Sequence, residues 1–107
     1  MSEVEVQENL KTAVIEVIKT IFDPEIPVNI YDLGLIYEVN IFPDSSVEIV
    51  MTLTSPSCPA AGILPGEVEQ KAKAVSGVKD VTIELVFDPP WSQEMMSEEA
   101  KLELGFL

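Results

Sequence analysis

The stretch Leu35-Ile36-Tyr37-Glu38-Val39-Asn40-Ile41-Phe42-Pro43-Asp44-Ser45-Ser46-Val47-Glu48-Ile49-Val50-Met51-Thr52-Leu53-Thr54 decides the architecture. Leu35, Tyr37, Val39 and Ile41 alternate with Glu38 and Asn40, and Val47, Ile49, Met51 and Leu53 resume the alternation six residues after Ile41. A period of two marks a half-buried strand, because successive side chains point to opposite faces. Between the two runs, Pro43-Asp44-Ser45-Ser46 has the residue chemistry of a turn. Strands joined this tightly must run antiparallel. The stretch therefore predicts a β-hairpin with one apolar face in need of a cover.

The cover lies on both sides of the hairpin. Upstream, Leu10, Val14, Val17, Ile18 and Ile21 recur at helical spacing, which predicts an amphipathic helix over 6–22 that stops at Asp23-Pro24. Downstream, Ile63, Leu64, Val68, Ala72 and Val75 form a second helical stripe. Pro65 is tolerable there only in the first turn, and Ser76-Gly77 ends the run. Val78 to Asp88 predicts a third strand with Val81, Ile83, Leu85 and Phe87 inward. Asp88-Pro89-Pro90-Trp91 breaks the pattern, 91–95 leaves room for a short fourth strand, and Ser97 to Gly105 has the capping pattern of a short helix. The order is α-β-β-α-β. Two helices cannot cover both faces of so small a sheet. The expected fold is α+β, a two-layer sandwich in which a small, mostly antiparallel sheet carries the helices on one face, with residues 1–107 as one domain.

Six lysines and no arginine stand against 19 acidic residues, a net charge of −13. Such a surface repels a phosphate backbone and an anionic bilayer, so neither nucleic acid nor membrane is expected as a partner. It attracts proteins with basic patches. The acidic N-terminal stretch lacks the basic region of a signal peptide, and no apolar run is long enough to span a bilayer. A single cysteine excludes an internal disulfide, and the expected location is the cytoplasm.

With no histidine, Ser–His and Cys–His nucleophiles are excluded within the chain, and no glycine-rich phosphate loop is present. Chemistry concentrates on Thr52-Leu53-Thr54-Ser55-Pro56-Ser57-Cys58-Pro59-Ala60-Ala61-Gly62. Cys58 lies between two prolines and ahead of the second helix, whose N-terminal amides and dipole favour a thiolate. A thiolate ligates soft metals and iron–sulfur clusters. An unpaired cysteine also serves as a small buried apolar side chain. One thiolate cannot complete a four-coordinate site, so any metal or cluster must be shared with another chain, such as a second copy, a partner protein or an exogenous thiol. Asp23 and Glu25 offer oxygen ligands near the end of the first helix, or serve as turn residues. Trp91 is a candidate partner contact, or an anchor at the edge of the core.

Three segments in order, Asp23-Pro24-Glu25-Ile26-Pro27, Asp32-Leu33-Gly34-Leu35-Ile36-Tyr37 and Thr52 to Pro59, resemble the motifs of the metal–sulfur cluster biosynthetic domain family of SufT- and PaaD-like proteins. Phe87-Asp88-Pro89-Pro90-Trp91 and Met96-Ser97-Glu98-Glu99-Ala100-Lys101 look like its short, stand-alone SufT type. The resemblance runs from about Val14 to Leu107. It implies the helix and strand order derived above and a non-enzymatic role in maturing iron–sulfur proteins. It also implies Cys58 as the cluster- or metal-binding position, with Asp23, Asp32 and Thr54 as supporting motif positions. Implied partners are the iron–sulfur assembly machinery and apo-iron–sulfur proteins, with a homodimer as one way to share a transient cluster. The cysteine-rich segment of PaaD-like members and the ATPase domain of other relatives are not found in the sequence. The alternative expectation is an acidic protein–protein adaptor, or an accessory subunit of an oxygenase-type complex, in which Cys58 is structural.

Overall fold

The computed structural model describes residues 3–22, 28–53 and 63–105. In chain order they form α1 (Glu3–Ile18), β1 (Ile36–Ile41), β2 (Ser46–Met51), α2 (Leu64–Lys73), β3 (Asp80–Leu85), a 3-10 turn (Gln93–Met95) and α3 (Glu98–Glu103). The sheet has the order β1-β2-β3. α1 packs on β1, α2 packs on β3, and the two helices pack on each other. The result is the expected two-layer α+β sandwich.

The hairpin forms as expected. β1 and β2 are antiparallel, with Val39 opposite Ile49 and Ile41 opposite Val47. Asp44 makes the turn: its Oδ1 accepts from the Ser46 backbone amide at 3.0 Å and from the Ser46 hydroxyl, and these bonds hold its carboxyl below the ordinary range. On the face away from the helices, the Asn40 amide donates to Glu48 across the strands. The face toward the helices carries Val39, Val47, Ile49 and Met51, all buried.

β2 and β3 pair in parallel, with Val47 opposite Val81 and Ile49 opposite Ile83. The sheet is thus mixed, one antiparallel and one parallel pairing, where a mostly antiparallel sheet was expected. The reason lies in the connection: α2 carries the chain back to the end where β2 began, so the next strand runs the same way. The expectation that Leu85 and Phe87 face inward is corrected. They are 37% and 43% exposed, while Val81 is buried and Ile83 half-buried. β3 is an edge strand, and burial fades along it toward its C-terminal end.

α1 stops at Ile18, earlier than Pro24 alone dictates. The Thr20 amide bonds to Val17 and the Ile21 amide to Ile18, a tightening to i→i+3 that ends the helix. The 91–95 region forms the 3-10 turn in place of a fourth strand. Ser97 caps α3 as its sequence indicates, its hydroxyl accepting from the Ala100 amide at 3.1 Å.

Candidate functional site

Cys58, Asp23 and Thr54 lie outside the described residues, so the site is built from the backbone stems on which their segments stand. The segment holding Thr54 and Cys58 connects β2 to α2. It departs from Thr52 and Leu53, both buried, and rejoins the described chain at Ile63. The Thr52 amide donates to the Leu35 carbonyl at 2.8 Å and extends the hairpin ladder by one step. The departure point is therefore fixed at the end of the sheet where β1 begins. α2 starts at Leu64 with Pro65 in its first turn and no side-chain cap from Ile63. A strand-to-helix loop at the carboxyl end of a parallel strand is where ligands meet open α/β sheets.

The segment holding Asp23 is closed by an isolated antiparallel bridge between Phe22 and Asn29, and the Ile30 amide donates to the Ile21 carbonyl at 2.9 Å. Asn29 then organises the next motif. Its side-chain carbonyl accepts from the Asp32 amide at 2.9 Å, and its side-chain amide donates to Asp32 Oδ2 at 2.8 Å. This reciprocal pair fixes the Asp32 carboxylate over the turn that leads through Gly34 into β1. The stems of all three motif segments thus meet at one end of the sheet.

A strap from the C-terminal region closes over this turn. The Trp91 indole donates to the Leu33 carbonyl at 2.8 Å, with its ring half-buried against the core. The Ser97 amide donates to the Asp32 carbonyl at 2.8 Å. The Tyr37 hydroxyl donates to the Pro89 carbonyl at 2.7 Å, with the Met95 sulfur 3.5 Å away. Tyr37 reaches the strap because β1 bulges at Ile36 and Tyr37, where the register shifts by one residue. Ile36 takes the place on the core side that the alternation gave to Tyr37, and Tyr37 is released outward.

Tyr37 and Thr52 were not singled out by the sequence as site residues, and only the bulge brings them into relation. Burial raises the Tyr37 pKa above the ordinary phenol value, the Thr52 hydroxyl works against this, and the Asp88 carboxylate adds to it. The two hydroxyls nevertheless fall short of a hydrogen bond: Thr52 Oγ1 is buried with no partner among the described residues. Because the folded state holds the Tyr37 proton more tightly than the unfolded chain, unfolding releases it above the ordinary phenol pKa. Stability is thus expected to fall as pH rises past about 10. Tyr37→Phe should remove that alkaline decline and cost about 1 kcal/mol at neutral pH through the lost bond to Pro89. Urea midpoints measured from neutral to alkaline pH check both effects. Thr52→Val keeps the shape and deletes the orphaned hydroxyl, so it should raise stability by about 1 kcal/mol in the same assay.

Among the described residues, no group of three or more Cys, Asp or Glu side chains is placed to hold a metal ion, and no helix is long and apolar enough to cross a membrane. The family model described as "Iron-sulfur cluster assembly protein" matches residues 11–85. The chain belongs to that family. The match spans β1, β2, α2 and β3 together with both motif-bearing connections. Within the family, the chain is 54% identical over 94 residues to the Fe-S protein maturation auxiliary factor of Porphyromonas gingivalis, covering 88% of this chain and 90% of that protein. It is 39% identical over 99 residues to the Fe-S protein maturation auxiliary factor YitW of Bacillus subtilis, covering 92% and 97%. A solved structure described as a domain of unknown function, DUF59, from Bacillus anthracis superposes with a TM-score of 0.89 at 34% identity, covering 97% of this chain and 99% of that one.

Proposed function

We propose that this chain is a non-enzymatic iron–sulfur protein maturation factor that works in the cytoplasm and offers Cys58 as one ligand of a transient cluster shared between chains. The cluster is cargo, moved between the assembly machinery and apo-iron–sulfur proteins. The observation that carries the proposal is the convergence of the three motif stems at the end of the sheet where β2 hands over to α2. Membership of the iron–sulfur cluster assembly family supports it.

The chemistry of the chain is consistent with carriage rather than turnover. It has one thiol and no imidazole, so it supplies a single thiolate, and the remaining ligands come from a second copy of the chain or from a partner. A singly held cluster can be passed on, because the receiving protein replaces ligands one at a time. An unpaired thiol that must stay reduced suits the cytoplasm. Asp32, fixed by Asn29 beside the strap, supplies a positioned carboxylate at the same end of the fold. Anaerobic reconstitution with ferrous iron and sulfide tests the proposal: the wild-type protein should develop charge-transfer absorption that Cys58→Ser lacks. Equal cluster content in the two proteins would refute the role given to Cys58.

A further inference from the structure

A groove runs between the Phe22–Asn29 bridge and α3. Val28 and Ala100, both buried, form its floor. Its walls are Phe22 and Leu102, which are 55% and 66% exposed. Asp32, Glu99 and Glu103 form its rim, and no lysine is among the described residues that line it. Two large apolar side chains held in water beside one depression gain free energy when covered. Three carboxylates around them set the sign of what covers them.

We infer that this groove docks a segment of a partner protein whose apolar side chains are flanked by lysine or arginine. The apolar anchors would fill the space between Phe22 and Leu102, and the cations would meet Asp32, Glu99 and Glu103. Charge complementarity decides against the other occupants. A second copy of this chain brings a net charge of −13 to an already acidic rim, and like-charge juxtaposition opposes that pairing on this face. Anionic lipid headgroups and phosphate backbones are repelled for the same reason. The inference deepens the maturation reading by naming the face that would hold a client. Asp32 belongs both to this rim and to the motif end of the sheet, so a docked segment lies beside the point where the Asp23 segment enters and leaves.

The test uses a fluorescein-labelled synthetic peptide with leucine and phenylalanine anchors between lysines, and a matched peptide with glutamates in place of the lysines, read by fluorescence anisotropy. The lysine peptide should bind saturably and more weakly as salt is raised. Reversing two rim charges in Glu99→Lys/Glu103→Lys should weaken it about tenfold, and Leu102→Ser by a similar factor. The glutamate peptide should not bind. These positions are solvent-facing on α3, and thermal unfolding followed by circular dichroism verifies that the variants fold. Unchanged affinity in the variants, or equal binding of both peptides, overturns the inference. So does sedimentation velocity showing a wild-type dimer that Leu102→Asp converts to monomer, because the groove would then be a self-interface. The peptide assay needs no cluster, so its failure leaves the reading of Cys58 standing, and failure of reconstitution leaves the groove standing.

Discussion

Gly34→Ala is expected to destabilise the fold by about 3 kcal/mol or more, a loss that combines left-handed strain with a backbone collision. Gly34 has φ +90°, a conformation that costs any residue with a Cβ. A methyl group built there lands on the backbone carbonyl of Met95, 2.8 Å from its carbon. Relief would require the strap to lift as a unit, since the chain on either side of Met95 is tied to the turn through Trp91 to Leu33 and Ser97 to Asp32. The effect should therefore extend beyond stability. Amide exchange in the 89–97 strap should accelerate together with that of the Asp32 turn, because one lesion loosens both. Denaturant unfolding gives the magnitude, and hydrogen exchange reports the coupling. A change below 1 kcal/mol would mean that the strap does not clamp the turn.

Cys58→Ser is expected to leave the fold intact and to lower cluster content and client maturation by at least about tenfold, since losing even a supporting contact to a metal ligand has effects of that size. Serine is nearly isosteric, but its hydroxyl stays protonated at neutral pH and is a poor ligand for iron in a sulfur-rich site. Stability separates the two roles open to a lone cysteine. A buried structural cysteine exchanged for serine places a hydroxyl in apolar surroundings and lowers the unfolding midpoint. A ligand cysteine exchanged for serine leaves the midpoint nearly unchanged and removes the cluster. Denaturation and iron analysis on the same preparations distinguish them.

The parts of the fold that depend on local pattern were legible in the sequence. The alternation of Leu35–Ile41 and Val47–Leu53 around Pro43–Ser46 specifies the hairpin, and Ser97 followed by Glu98 and Glu99 specifies α3. The parts that depend on long-range pairing were not. Nothing in Val78–Asp88 states whether it pairs with β2 in parallel or antiparallel, because both directions bury Val81. The bulge is equally silent: Tyr37 fits the apolar alternation, and only the register against Met51 shows that Ile36 takes its place. The exposure of Leu85 and Phe87 follows from an edge position that strand order alone reveals.

The site divides in the same way. Asp32 was legible as a turn residue because its chemistry is local, and Asn29, three residues earlier, completes the pair. Trp91 stood out by its proline context, but its bond to Leu33 spans 58 residues and leaves no local trace. Phe22 and Leu102 lie 80 residues apart and share a groove only because Asn29 and α3 are brought together by the Asp32–Ser97 contact. Asp23, Thr54 and Cys58 were visible as an ordered set of motifs, and their stems end together.

In the proposed function, Cys58 contributes a ligand to a cluster completed by another chain. The most direct measurement is reactivation of an apo-iron–sulfur enzyme under anaerobic conditions, using protein first loaded with iron and sulfide and then desalted. Wild-type protein should restore activity in proportion to the cluster it carries, while Cys58→Ser, folded and at equal concentration, should restore none above background. Reactivation by Cys58→Ser at the wild-type rate and yield would contradict it.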